Sequence, residues 1–160
     1  MNLLLQLLAI LRALHWSHWT AHWKMKGTAF YGDHTLFQRL YEALEADIDT
    51  LAEKIVGEYG SEAVHNLSVM SDAHLFIASH AQQADNLYAC ALAMEEHLQS
   101  AIRTTYDDLK AQGTLSLGMD DFLMATANAH ETALYLLRQR LTPTDEALLN
   151  RVVAKSLKAG

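Results

Sequence analysis

Residues 33–57 read DHTLFQRLYEALEADIDTLAEKIVG, and this stretch decides the fold. Phe37, Leu40, Leu44, Ile48, Leu51 and Ile55 recur at steps of three and four, which makes one apolar stripe on a helix that starts near Asp33, a good N-cap residue, and ends at Gly57 or Gly60. Beside that stripe, His34, Gln38, Glu42, Glu45, Asp49 and Glu53 follow the same steps and form a polar, largely acidic one. A solvated outer face has that composition too. The ends of the acidic stripe nevertheless carry metal-ligand residue types, and at ~1.5 Å rise per residue His34 lies about 22 Å from Asp49. One metal ion cannot touch both. Two copies of the helix packed antiparallel about a two-fold axis bring the histidine end of each against the carboxylate end of the other, so the spacing predicts a site shared between two chains.

On the N-terminal side, Leu4, Leu7, Leu8, Leu11 and Leu14 recur at helical spacing and predict a helix over about 2–26, stopped by Gly27. It carries His15-Trp16, His18-Trp19 and His22-Trp23, and steps of three and four put the three histidines in one narrow sector. For His15 and His18 the plainer reading is packing with satisfied imidazoles. On the C-terminal side, residues 61–80 turn polar around a short apolar segment, 73–78, which predicts a long connection carrying a short helix. Such a connection lets the next helix, about 82–112, run parallel to the one before it, as in bundles with one crossover. Gly113 and Gly118 bracket a break. A fourth long helix follows over about 120–141 through Phe122, Leu123, Ala127, Leu134, Leu137 and Leu141, and Thr142-Pro143 ends it. The expected architecture is all-α, a four-helix bundle over 1–142 with one long crossover, and a tail over 143–160 that forms a short helix or frays.

Composition agrees: 160 residues suffice for one domain with a real core, 51% are hydrophobic, and Pro143 is the single proline. The formal charge of -7 disfavours nonspecific attraction to nucleic acid or anionic membrane and suits a host for cations, so weak or absent DNA binding is expected. Cys90 is alone, which rules out a disulfide framework within the chain and points to a reducing, cytoplasmic setting. The leucine-rich start lacks the basic residues and small-residue cleavage site of a signal peptide. The apolar runs fall far short of the ~20 residues of a membrane span, so a soluble chain with no membrane partner is expected. Imidazoles with carboxylates are a ligand set for iron, zinc or manganese, and the absence of paired thiols argues against structural zinc. His65, His74, His80 and His97 stand singly on ordinary segments and read as surface or packing residues.

His22-Trp23, Gly27, Phe30, His34, Tyr41, Asp49 and Ala52-Glu53 together resemble the signature of the Dps mini-ferritins. In that signature histidine-tryptophan is followed by glycine, phenylalanine and a second histidine, then by an aspartate four residues before a glutamate. The gaps here are twelve from His22 to His34, fifteen to Asp49 and four to Glu53, and the match is densest over 15–56. The resemblance implies a ferritin-like bundle assembled as a hollow homo-dodecamer. It implies iron(II)-oxidising sites across each two-fold interface, with His22 and His34 from one subunit and Asp49 and Glu53 from its mate. Iron is then stored as ferric mineral, with peroxide or dioxygen as oxidant.

Two departures stand out. The family commonly places an aspartate four residues after the second histidine, where this chain has Gln38. An amide is a neutral, weaker ligand, so one iron is expected to bind through His34, Asp49 and Glu53, and a weaker one nearer His22, with His18 one turn earlier as a compensating imidazole. DNA-binding members often carry a lysine-rich N-terminal extension, whereas Met1 here stands almost at the start of the first expected helix; the tail offers Arg151, Lys155 and Lys158, opposed by Asp145 and Glu146. Two other functions compete. A bundle with a metal pair inside each subunit normally needs Glu-x-x-His on two helices. Glu62 and His65 have that spacing but fall in the crossover, and Glu95, Glu96, His97 and His130-Glu131 supply no second copy. A non-catalytic structural bundle with a degenerate site is the other, and Gln38 is its best support.

Overall fold

The computed structural model describes residues 2–81 and 86–141, with residues 2 and 66 as backbone only. Five α-helices appear among them: α1 (Asn2–Lys24), α2 (Phe30–Tyr59), α3 (Asn66–Ala81), α4 (Leu87–Ala111) and α5 (Leu117–Arg140), with a 3-10 turn at Ser61–Val64 between α2 and α3. The apolar stripes read from the sequence are the buried ones. Leu4, Leu7, Leu8, Leu11 and Leu14 of α1 and Phe37, Leu44, Leu51 and Ile55 of α2 are all withdrawn from solvent. Two of the chain breaks have clear local causes. Asn86 caps α4 by accepting a hydrogen bond from the Ala89 N–H at 2.8 Å, and Ser116 caps α5 through the Met119 N–H at 3.2 Å. Gly27, in the turn between α1 and α2, has φ +93°, a conformation costly for any residue with a Cβ.

Side-chain contacts fix the helix directions. Asp33 of α2 meets Arg140 of α5, while Lys54 lies beside Gly118 at the other end of α5, so these two helices are antiparallel. Arg140 over Tyr88 and Gln99 bonded to the Ala127 carbonyl make α4 antiparallel to α5. Phe37 packs on Tyr88, and Asp47 and Glu95 both reach His130, so α2 and α4 run parallel. A parallel pair needs a long connection, and α3 lies in it, packed on α1 and α4. The chain is thus an all-α, ferritin-like bundle with one crossover. Among the described residues no helix is long and apolar enough to cross a membrane.

Several boundaries differ from the sequence reading. The crossover helix spans Asn66–Ala81 rather than 73–78, because Val69 and Ala73 extend a buried face toward α1. Residues 82–85, expected to open the third long helix, and the tail 142–160 lie outside the described residues. Asp33 does not cap α2, which begins one turn earlier at Phe30. Its carboxylate instead takes both Arg140 nitrogens, Nε at 2.7 Å and Nη2 at 3.0 Å. The Arg140 hydrogen bond holds the Asp33 carboxyl below its usual range against the opposing effect of burial. Arg140→Ala is expected to cost about 2 kcal/mol in chemical denaturation, since it strands a buried carboxylate. Arg140→Lys should recover only part, because an ammonium cannot make the forked contact.

Candidate metal centre

The turn after α1 folds α2 back so that His22 and His34 meet. Their rings stack with centroids 3.6 Å apart and planes inclined by 23°. His22 Nδ1–H donates to the His34 carbonyl at 2.8 Å, and His34 Nδ1–H donates to the His22 carbonyl at 3.0 Å. A carbonyl oxygen only accepts, so both Nδ1 atoms carry the proton and both Nε2 lone pairs are left for a ligand. Pinning one ring nitrogen while freeing the other is how proteins orient metal-binding imidazoles. Phe30 stacks on His34 at 4.9 Å, and Tyr41 meets His22 edge-on at 5.4 Å. Around the pair, Trp19, Trp23, Phe30 and Tyr31 are exposed.

Asp49 and Glu53 lie further along α2, both exposed. A straight helix keeps Asp49 about 22 Å and Glu53 about 28 Å from His34, as its rise per residue requires. Among the described residues no three of His, Cys, Asp and Glu converge tightly enough to hold a metal ion. One chain therefore presents two half-sets of donors. Gln38 is half-buried, and its amide N–H donates to Glu42 Oε1 at 2.8 Å.

His18 is placed elsewhere than the expected compensating position beside His22. It is fully buried, and its Nε2–H donates to Glu95 Oε1 at 2.8 Å, so that nitrogen is already engaged. The other Glu95 oxygen accepts from His130 Nδ1–H at 2.6 Å, and His130 Nε2 lies 3.5 Å from Asp47 Oδ2. The four residues form a polar layer across the bundle. One apolar cluster, with Leu14, Leu44, Leu98 and Leu123, lies on one side of it, and another, with Ala21, Phe37, Leu92 and Leu134, on the other. Burial alone would push the His130 imidazole down. Hydrogen bonds to Asp47 and Glu95, with their charges, outweigh it and raise the group to about 9. Burial alone would push Glu95 up, but His130 and His18 hold it down at about 2. At neutral pH the layer is a carboxylate with an imidazolium on one oxygen. Sequence reasoning weighed Glu95 and His130 only as parts of a Glu-x-x-His motif. The missed signal was their place inside apolar stripes, Glu95 between Leu92 and Leu98 and His130 between Ala127 and Leu134.

The fold and the paired imidazoles define a ferritin-like helical bundle with a histidine pair at one hairpin end. Among solved structures, a C-terminal deletion mutant of Mycobacterium smegmatis Dps is similar to it, at 20% identity and a TM-score of 0.69, covering 88% of this chain and 95% of that one. At that identity the likeness concerns the fold. No protein-family model matches the chain, and no curated protein does.

Proposed function

We propose that the protein is an iron(II)-oxidising, iron-storing homo-oligomer whose sites form across two-fold interfaces. His22 and His34 of one chain and Asp49 and Glu53 of its mate would hold the metal, with Gln38 beside them. The observation that carries this reading is the pair of freed Nε2 lone pairs on a face rich in exposed aromatics, with the missing carboxylates further along the same helix. Exposed aromatic patches of this kind favour self-association. Antiparallel pairing of two α2 helices closes both half-sets at once. In the reaction two iron(II) ions each lose one electron, and one peroxide accepts the pair as its O–O bond breaks to give two hydroxides. The chain's part is to bring two cations together and to neutralise them with carboxylates. A dodecameric shell, with the ferric product stored inside, is what the resemblance to the Dps signature implies, and the net charge of -7, the short apolar runs and the lone Cys90 support activity without a membrane or DNA partner in a reducing, cytoplasmic setting. Zinc and manganese would compete for the same donors.

A metal pair inside the subunit has less support. Both Glu95 oxygens are taken by imidazole N–H groups, which makes the central layer a closed ion-pair network, and Glu62 and His65 are exposed outside the core. The test is anaerobic iron(II) titration followed by peroxide or dioxygen, with particle mass measured on the same sample. Saturable binding and rapid ferric product in a multimer are expected. A monomer near 17.9 kDa that loads iron, or a multimer that does not oxidise it, would overturn the reading.

Gln38 should make the two iron positions unequal. Gln38→Asp adds an anionic donor and is expected to tighten the weaker iron roughly tenfold, about 1.4 kcal/mol. Two equally tight irons in the unmodified protein, unchanged by the substitution, would contradict this asymmetry.

A further inference from the structure

A cavity of about 420 Å³ opens between α1, α3 and α4, lined by Trp16, His18, Thr20, Lys24, Cys90 and Met94 among others. It lies apart from the His22–His34 pair and has no part in the reading above. Three donors stand in its lining. Cys90 and Met94 stand one turn apart on α4, with Sγ and Sδ 4.0 Å from each other. His18 is fully buried, yet its Nδ1 has no hydrogen-bond partner. Such an atom costs free energy unless something fills its place.

We propose that this cavity is a binding site for one copper(I) ion, held by the Cys90 thiolate, the Met94 thioether and His18 Nδ1. The donor set is a soft one. Thiolate and thioether select copper(I) over the divalent ions that suit imidazole with carboxylate. Tetrahedral zinc sites draw on thiolates, imidazoles and carboxylates, and a thioether is not among them. The sulfur spacing fits as well: two sulfurs about 2.3 Å from one metal, and about 120° apart around it, are about 4.0 Å from each other. His18 is also preset. Its Nε2–H is anchored on Glu95 at 2.8 Å, which fixes the ring and leaves Nδ1 with the lone pair, the carboxylate–imidazole–metal arrangement that orients ligating histidines. Charge completes the argument. Cys90 gives its thiol proton to solvent on binding, so thiolate and copper(I) cancel, whereas a divalent ion would leave a net positive charge in an apolar cavity. No oxidation state changes.

The test is anaerobic copper(I) titration of the oligomer in competition with a chromophoric copper(I) chelator. One copper per chain should leave the chelator, and X-ray absorption should show two sulfur scatterers and one nitrogen. Cys90→Ser and Met94→Leu, which nearly conserve volume, should each weaken binding at least tenfold with helical content unchanged. His22→Ala and His34→Ala should leave it intact. The proposal fails if the chelator keeps the metal against wild-type protein, or if bound copper shows no sulfur neighbours. It fails too if correctly folded Cys90→Ser or Met94→Leu binds as wild type does.

Discussion

Glu95→Ala is expected to lower the unfolding free energy by roughly 3–5 kcal/mol, the cost of breaking a buried ion pair by removing one partner. The substitution leaves the His130 imidazolium with Asp47 alone, at 3.5 Å, and leaves His18 Nε2 with no acceptor in the core. For a chain of this length that corresponds to a fall of about 10 °C or more in thermal midpoint. Glu95→Gln keeps the volume but can accept from only one imidazole, so it should lose less. Replacing His18, Glu95 and His130 together by leucine should be better tolerated than Glu95→Ala, because no charge is then stranded. A thermal midpoint within 2 °C of wild type for Glu95→Ala, by about the same scaling, would show that the layer contributes little.

The same layer sets a pH dependence. His130 keeps its proton to about 9 in the folded chain and releases it near 6.5 when unfolded. Its contribution is therefore complete below 6.5 and is lost as pH rises through 9; at 1.36 kcal/mol per unit it amounts to about 3 kcal/mol. Glu95, at about 2 folded and 4.5 unfolded, contributes above 4.5 and loses its contribution as pH falls toward 2. Stability should peak between these limits and decline between 6.5 and 9, and His130→Leu should flatten that alkaline decline. Equal slopes in the two proteins would remove His130 from the account.

The second large effect is on activity. His22→Ala is expected to slow rapid iron(II) oxidation by about a hundredfold or more, on the scale of losses in metal-site variants, while the helical content stays unchanged. The substitution deletes one Nε2 donor and the bond from His22 Nδ1–H to the His34 carbonyl, while His34 keeps its bond to the backbone carbonyl of residue 22, so the folding cost is only about 1 kcal/mol. Asp49→Ala should be as damaging to oxidation and nearly neutral to folding, because that side chain is exposed and has no role in the core. Oxidation that persists in both variants would place the reaction elsewhere.

Much of this was legible in the residues, for physical reasons. Long apolar stripes at steps of three and four fixed four long helices, since little else satisfies that period over twenty residues. The separation of His34 from Asp49 was legible too, because both lie on α2 and helix rise is nearly invariant. The start of α2 was not legible. Asp33 has the composition of a cap, but Arg140, 107 residues away, claims its carboxylate, and only tertiary contact reveals that. His18 was likewise ambiguous. It shares a sector with His22 on the sequence, and the bundle turns it inward to Glu95 while the hairpin presents His22 to His34.

The central claim is that each site is completed by a second copy of the chain, and subunit mixing tests it most directly. His22→Ala and Asp49→Ala proteins, each inactive alone, would be dissociated, combined and reassembled, with exchange confirmed by native mass spectrometry. Every heterodimer then holds one site with both lesions and one with neither, so iron(II) oxidation should return at one of its two sites. Confirmed exchange without any recovery would contradict a shared site.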